Sequence, residues 1–157
     1  MADTGPIRYL CVIGEIDLLP SLFKQVHIPI RVFDEMIHPG APVRLRTLAS
    51  VQPGWLLVHP AIELEHPDAA ALDDGERAAI SLAGRISADL LLMDDRKGMR
   101  FAQGAGFDVI GTLGILDLAA RRGLIELAQS FDRLKATNFR YKPQMLEKML
   151  TEDKMRR

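Results

Sequence analysis

The stretch Ala88–Asp95, with the sequence ADLLLMDD, decides the fold because a short apolar run ends there in two adjacent acidic residues. A continuous apolar run is typical of a parallel strand that is covered by helices on both faces. We therefore predict a buried strand over Ala88–Met93, with Asp94 and Asp95 at its carboxyl end. Ligand sites in such sheets lie beyond the carboxyl ends of the strands, so the acid pair marks a candidate site.

The segments on either side of this strand alternate between strand and helix patterns. Before it, Trp55–Val58 has the pattern of a strand, and Gly75–Ile86 has apolar residues at helical spacing. After it, Arg96–Ala105 predicts a helix and Phe107–Ile110 predicts another short strand. This β-α-β-α-β order implies right-handed crossovers, and we therefore predict an α/β fold with a mostly parallel central sheet.

The remaining sequence predicts short elements within one domain that spans residues 1–157, a length that suits a single domain. A strand is expected over Val26–Pro29, and the stretch from Pro60 to Asp74 has the composition of a loop. A basic tail is expected between the last helix and residue 157. Further helices are predicted over Ile7–Ile13, Ile16–Phe23, Ile30–Ile37, Val43–Val51, Thr112–Arg122, Ile125–Lys135 and Pro143–Thr151.

Composition restricts the function only loosely. The chain is 48% hydrophobic and carries 20 Lys and Arg against 21 Asp and Glu, so its net charge of −1 gives no general support to nucleic-acid binding. Cys11 is the only cysteine and lies in an apolar run, which indicates a buried thiol in a reducing compartment. No apolar run approaches the length of a membrane span, and no charged-then-apolar leader begins the chain. We expect a soluble, cytoplasmic protein that does not bind membranes.

The acid pair has two interpretations. Asp95 is suited to cap the helix that begins at Arg96, a common role for aspartate. One carboxylate would suffice for a cap, however, and two adjacent acids at the end of a buried strand repel each other. We therefore favour a functional role for the pair, and the sequence leaves open which of Asp94 and Asp95 would bind a metal.

Acidic residues in three other places are further candidates. Asp73 and Glu76 have the spacing of a capping box, yet Glu76 also shares the core-facing stripe of its helix, so both interpretations stay open. Asp3 precedes Thr4, which is able to hydrogen-bond a carboxylate. Glu35 lies beside an apolar helix face, where an exposed flank is the simpler explanation.

These acids matter only if the fold brings them together, as the shared edge of a doubly wound sheet would do. Gathered carboxylates repel one another, and a hard divalent cation such as Mg²⁺ or Mn²⁺ relieves that repulsion. The pattern therefore indicates metal-assisted phosphodiester chemistry. Basic residues Arg96, Lys97 and Arg100 follow the acid pair and are candidate RNA contacts. Near the basic C-terminus, Phe139 and Tyr141 are interleaved with cations, which is more often a solvated helix than an RNA contact.

Several motifs together resemble one branch of the PIN-domain superfamily, the VapC-toxin-like proteins labelled as predicted nucleic-acid-binding. The likeness covers nearly the whole chain. The motifs that carry it are Asp3–Pro6 (DTGP), Ile16–Phe23 (IDLLPSLF), Ile28-Pro29, Asp34-Glu35, Leu72–Ile80 (LDDGERAAI), Leu91–Gly98 (LLMDDRKG) and Gly111–Leu116 (GTLGIL). The branch often has an apolar strand before its first aspartate, whereas only Met1 and Ala2 precede Asp3 here.

The resemblance implies a three-layer α/β/α fold and a Mg²⁺- or Mn²⁺-dependent ribonuclease site. It implies that Asp3, Glu35, Glu76 and Asp95 are the catalytic acids and that Asp3, Glu76, Asp94 and Asp95 are the metal ligands. Thr4 and Thr112 match hydroxyl positions near such a site. It further implies the toxin of a toxin-antitoxin pair, with RNA as substrate, a small antitoxin as partner and a homodimer as the assembly. The alternative is a non-catalytic PIN-like module that binds RNA or a protein.

Overall fold

The computed structural model describes residues 1–60 and 71–157 as short strands surrounded by helices. Most of the predicted loop from Pro60 to Asp74 lies outside the described residues. The helices are α1 (Thr4–Val12), α2 (Leu18–Phe23), α3 (Ile30–Ile37), α4 (Val43–Val51), α5 (Asp74–Arg85), α6 (Arg96–Gly104), α7 (Thr112–Arg121), α8 (Leu127–Lys135) and α9 (Pro143–Arg156). The strands are β1 (Val26–Pro29), β2 (Leu56–His59), β3 (Leu91–Leu92) and β4 (Val109–Ile110).

The strands form two parallel pairs, which the first residues of the chain connect. Strand β1 pairs with β2, and β3 pairs with β4, each in parallel register. Ala2 forms a parallel bridge to Leu92, and its N–H donates to the carbonyl oxygen of His27 at 2.9 Å. The Asp3 N–H donates to the carbonyl oxygen of Leu92, also at 2.9 Å. Residues 1–3 therefore occupy the position of a central strand, in the order β2, β1, residues 1–3, β3, β4.

Both faces of this sheet are covered, as the apolar run predicted. Leu92 packs into the larger hydrophobic core, formed mainly with α1, α3 and α7. Its neighbours Leu91 and Met93 pack into a second core on the opposite face, with apolar residues of α5 and α6. Successive side chains of a strand point to opposite faces, so this alternation requires helices on both sides. The predicted α/β/α layering with a mostly parallel sheet is confirmed, although the strands are short.

The strand predicted over Ala88–Met93 is wrong in length, because only Leu91–Leu92 lie in a ladder. Ser87 has a φ of 52°, and the Ala88 N–H donates to the carbonyl oxygen of Ala83 at 2.9 Å. The first part of the apolar run therefore closes the C-terminal turn of α5 and cannot pair with a neighbouring strand. Apolar composition does not distinguish a buried turn from a buried strand.

The predicted end of the last helix at residue 151, followed by a basic tail, is also wrong, because α9 continues to Arg156. Asp153 is only 6% exposed and accepts ion pairs from Arg156 and Arg157. Arg156 also pairs with Asp117 of α7 at 2.9 Å. Arg156 is thus part of the helix and fastens it to α7, whereas Arg157 follows the helix and pairs with Asp153 and with Glu126, the residue before α8. In the described ranges, no helix combines the length and apolar character that a bilayer crossing requires.

Candidate functional site

Asp3 lies at the point where the central segment ends and α1 begins. The helix starts at Thr4, three residues before the predicted start, because Pro6 needs no backbone N–H partner in a first turn. Asp3 therefore takes the N-cap position, yet its side chain forms no capping hydrogen bond with the helix. Burial raises the pKa of Asp3 to about 7. The Thr4 backbone amide opposes this rise, and the carboxylates of Asp73, Glu35 and Glu76 add to it.

Glu35 of α3 reaches the same place from the neighbouring helix. Its Oε2 accepts a hydrogen bond from the Thr4 hydroxyl. A methyl group placed on Gly75 would lie 2.7 Å from Glu35 Oε1 and 3.4 Å from Asp3 Oδ1, so both carboxylates converge on the first turn of α5. Glu35 as a whole is exposed, but its carboxyl group is partly buried, and this burial raises the pKa of Glu35. The hydrogen bond from the Thr4 hydroxyl acts in the opposite direction and lowers that pKa. The acids Asp73 and Asp74 raise it further.

Glu76 satisfies both interpretations that the sequence left open. Its backbone N–H donates to Asp73 Oδ1 at 2.7 Å, and its own Oε2 accepts from the Asp73 N–H at 3.1 Å, which completes a capping box. It is also only 7% exposed. Burial raises the pKa of Glu76 to about 7, and the carboxylates of Asp73 and Asp95 also raise it. The hydrogen bond from the Asp73 backbone amide has the opposite effect and lowers the pKa. A residue that caps its helix thus also faces other acids.

The two members of the acid pair have different environments. Asp95 is exposed and caps α6, because its Oδ2 accepts from the Gly98 N–H at 2.9 Å. Asp94 is held by Thr112 at the start of α7, whose N–H and hydroxyl donate to its two oxygens at 2.7 and 2.6 Å. Burial raises the pKa of Asp94 despite these hydrogen bonds. A methyl group on Gly5 would lie 3.2 Å from Asp94 Oδ2, so this carboxylate borders the first turn of α1.

The structure thus brings the five predicted acids to one edge of the sheet, from four different places in the chain. Within residues 1–60 and 71–157, no Lys or Arg forms an ion pair with Asp3, Glu35, Glu76, Asp94 or Asp95. Arg31 and Arg77 pair instead with Asp74 at the rim of the cluster. The result is a group of carboxylates whose negative charge no Lys or Arg of the described residues neutralises through an ion pair.

The chemistry of this cluster fits a hard divalent cation. Every donor is a carboxylate or hydroxyl oxygen, the ligand type that Mg²⁺ and Mn²⁺ prefer. In the described part of the chain, however, no three acidic, histidine or cysteine side chains are already arranged as the ligands of one ion. Glu76 and Asp95 each use an oxygen in a helix cap. A metal would therefore have to compete with these caps for its ligands.

Sequence reasoning missed two residues of this cluster. Asp73 raises the pKa values of Asp3, Glu35 and Glu76, and Gly75 allows two carboxylates to approach α5. The capping box was the signal for Asp73, and it was interpreted only as a helix start. Of the predicted basic residues, Arg96 and Lys97 line a cleft beside Asp94 and Asp95, whereas Arg100 does not.

Comparison with known proteins agrees with this architecture. A family model, DUF3368, described as a PIN domain, matches residues 1–154. The chain belongs to the PIN-domain family. This PIN domain is also 36% identical over 67 residues to the acetylglutamate kinase of Sodalis glossinidius (strain morsitans), a match that covers 43% of the chain. The chain spans only 25% of the length of that kinase, so the similarity indicates neither a shared fold nor a shared activity. No solved structure matches this PIN domain.

Proposed function

We propose that this PIN-domain protein is a Mg²⁺- or Mn²⁺-dependent endoribonuclease. The observation that supports the proposal most directly is the convergence of Asp3, Glu35, Glu76, Asp94 and Asp95 at one edge of the sheet without a basic partner in the described residues. Buried acids are ordinarily paired with cations or bound to metals. A site that retains several unpaired acids is therefore suited to a divalent ion.

The proposed metal ligands are Asp3, Glu76, Asp94 and Asp95, with Glu35 completing the catalytic acids. Bound there, a divalent ion would polarise the phosphodiester and lower the pKa of an attacking water. The protein's own part is to hold the carboxylates in place. Thr112 fixes both oxygens of Asp94, and the Thr4 hydroxyl fixes one oxygen of Glu35. Those hydroxyls also favour the ionised form of the carboxylates, because donated hydrogen bonds oppose the effect of burial, which raises their pKa values.

Basic residues next to the acid pair are suited to bind the phosphates of the proposed RNA substrate. Arg96 and Lys97 begin α6 directly after Asp95 and line the same cleft as Asp94 and Asp95. Their cationic groups are suited to RNA phosphates, which an acidic cluster would otherwise repel. Arg100 is exposed on the same helix and is proposed as a more distant phosphate contact.

The test is RNA cleavage by the wild type and by Asp3→Asn and Asp94→Asn. We expect cleavage of a labelled RNA only when Mg²⁺ or Mn²⁺ is present, and a loss of about 100-fold or more in either variant, a typical cost of removing a transition-state contact. Asp132→Asn, an equivalent change at an exposed position of α8, is the matched control and keeps full activity. Equal cleavage by the wild type and both site variants would contradict the proposal.

The resemblance to VapC-like proteins also supports a role as the toxin of a toxin-antitoxin pair, with a small antitoxin as partner and a homodimer as the assembly. If so, induced expression arrests growth, and Asp3→Asn relieves the arrest. Full arrest by Asp3→Asn would contradict a toxic role that acts through RNA cleavage.

A non-catalytic PIN-like module that binds RNA or protein is the second candidate, and one observation favours it. Asp95 and Glu76 cap their helices, and the acids of the described residues do not form a ready set of ligands. Titration calorimetry with Mn²⁺ separates the two candidates. The nuclease binds Mn²⁺ with an affinity that Asp3→Asn lowers, whereas a pure binding module gives no heat at these acids.

A further inference from the structure

A cleft of about 990 Å³ opens beside Asp94 and Asp95, on the side of the site away from Glu35. One wall is the connection between α8 and α9, residues Asn138–Lys142, and the other contains Arg96 and Lys97. Tyr9, one and a half turns along α1 from Thr4, also lines it. The helix that positions Asp3 therefore also forms part of this cleft.

The connection between α8 and α9 is irregular, but specific contacts fix it against α1. The Tyr9 hydroxyl donates to Asn138 Oδ1 at 2.9 Å. The ring of Phe139 meets the ring of Tyr9 edge to face, with centroids 4.9 Å apart and planes at 82°. Thr137 Oγ1 accepts from the Phe139 N–H at 3.1 Å. These contacts give the wall a defined shape before any ligand binds.

The cleft carries unpaired positive charge from both walls. Arg96 and Lys97 face it from one wall, and Arg140 and Lys142 from the other. Unlike the arginines at the end of α9, none of these four forms an ion pair within the part of the chain that the structure describes. Lys142 is the N-cap residue of α9, where its ammonium group, which only donates hydrogen bonds, cannot bind the free N–H groups of the helix. The charges are therefore available for phosphates.

Tyr141 adds an aromatic surface among these cations. Its side chain is 37% exposed, and no aromatic ring of the described residues stacks on it. An exposed ring between cationic side chains combines the two groups that bind single-stranded nucleic acid: a platform for a base and counter-charges for the backbone. A base is free to stack on a side chain only when it is unpaired.

We propose that single-stranded RNA occupies this cleft, with an unpaired base on Tyr141 and its phosphates against Arg96, Lys97, Arg140 and Lys142. The inference rests on the proposed nuclease function, and it adds that the strand enters from the α8–α9 side and that Tyr141 holds it there. The strand then leads directly to Asp94 and Asp95. An acidic peptide would also suit the cations, but its carboxylates are not attracted to the electron-rich face of the Tyr141 ring.

The test measures RNA binding separately from cleavage. The wild type and its variants bind a labelled, unstructured 12-nucleotide RNA in EDTA, and fluorescence anisotropy reports the affinity at several salt concentrations. We expect Tyr141→Ala to weaken binding about 5- to 100-fold. Tyr141→Phe keeps the ring and stays within about twofold of the wild type. A fully paired RNA duplex of the same length binds more weakly than the single strand, and the Tyr141→Ala substitution does not change its affinity.

The double variant Arg140→Ala/Lys142→Ala tests the phosphate contacts. We expect the slope of log affinity against log salt to become shallower by about 1.4, or about 0.7 for each lost contact with a single strand. Arg122→Ala/Lys154→Ala removes the same charge from exposed residues that do not line the cleft, and it leaves the slope unchanged.

The outcomes separate this inference from the nuclease proposal. If Tyr141→Ala and the double variant bind RNA as the wild type does, the cleft is not the binding site, even if the wild type cleaves RNA. If the cleft variants lose RNA binding but the wild type does not cleave RNA with Mg²⁺ or Mn²⁺, the cleft is an RNA-binding site and the nuclease proposal is wrong. Displacement of the RNA by a polyglutamate peptide at equal charge concentration would overturn the inference in favour of an acidic protein ligand.

Discussion

Glu76 and Asp153 are acids with nearly the same exposure, 7% and 6%, but the fold treats them in opposite ways. Asp153 lies beside Arg156 and Arg157, and Arg156 also pairs with Asp117. Burial alone would raise the pKa of Asp117, but hydrogen bonds and charge from Arg121 and Arg156 outweigh it and lower that pKa. Glu76 instead faces Asp73 and Asp95, and its pKa rises to about 7.

The difference separates a structural use of buried acids from a functional one. At the C-terminus, opposite charges fasten α9 to α7, and the protein supplies both partners. At the edge of the sheet, the described residues supply only the negative partner. A buried charge without compensation destabilises the folded protein, and the divalent ion proposed above would supply the charge that these acids lack.

The largest expected effect comes from adding an internal cation to the acid cluster. Glu35→Lys would place an ammonium group near Asp3, Asp73 and Asp74, which are the acids that now interact with Glu35. We expect Mn²⁺ affinity and RNA cleavage to fall by about 100-fold or more, because an opposite charge a few Å from the ligands competes with the ion. Calorimetry and a cleavage assay measure the two losses.

The control for this substitution is Glu147→Lys, which makes the same charge change at an exposed position of α9. It should retain both metal binding and cleavage. Undiminished Mn²⁺ binding by Glu35→Lys would mean that the acid cluster is not a cation site.

The pH dependence of stability without metal is the next largest effect. Asp3 and Glu76 have pKa values of about 7 in the folded protein, above their ordinary values of 3.8 and 4.5. The folded state therefore holds protons that the unfolded state releases, and stability falls as pH rises from about 4 to 7. We expect a loss of about 3–6 kcal/mol over this range, measured by urea unfolding in EDTA. Saturating Mn²⁺ should remove most of this loss, and a flat profile in EDTA would contradict the raised pKa values.

A pair of isosteric substitutions tests the comparison directly at pH 7.5 in EDTA. Glu76→Gln keeps an oxygen for the capping box but removes the charge, and we expect it to raise the free energy of unfolding by about 1–2 kcal/mol. Asp153→Asn weakens the ion pairs of Arg156 and Arg157, and we expect it to lower that free energy by about 1–2 kcal/mol. Chemical denaturation measures both. Changes of the same sign in the two variants would show that the charges of Glu76 and Asp153 affect the free energy of unfolding in the same way, contrary to this comparison.

The smallest effect is expected from an ion pair that is not buried. Lys148 and Glu152 lie 3.9 Å apart on α9, and their side chains are 76% and 47% exposed. Solvent screens such a pair, so Lys148→Ala should change the free energy of unfolding by no more than about 0.5 kcal/mol. A loss of stability as large as that expected for Asp153→Asn would mean that the contribution of an ion pair to stability on α9 does not depend on its burial.

Much of the fold followed from local patterns in the sequence. The limits of β1, α3 and α4 agree with their predictions, because Gly, Pro and apolar spacing act within a few residues. Placement of Asp94 and Asp95 at the end of β3 followed from the apolar run before them. One error arose from a local turn and the other from a tertiary contact. The turn after α5 shortened β3, and ion pairs with α7 lengthened α9.

The candidate site was harder to predict than the fold, because its members approach one another through packing. Glu35 reaches Thr4 only because Val32 and Met36, on the same helix, are buried in the core and orient α3. Asp73 had a complete local explanation as a helix cap, so its effect on Asp3 could not be predicted from spacing. The resemblance to PIN domains named most of the acids, but it did not give their contacts.

The sequence by itself determined the caps of α5 and α6 and the position of Asp94 and Asp95 at the end of a buried strand, because these features depend on residues within a few positions of one another. Only the tertiary structure decided that Asp3, Glu35 and Glu76 would meet, and that no basic side chain of the described residues would pair with them. The physical reason is range: caps and helical ion pairs form within one turn of chain, whereas the charge that surrounds a buried carboxylate depends on which distant elements pack against it.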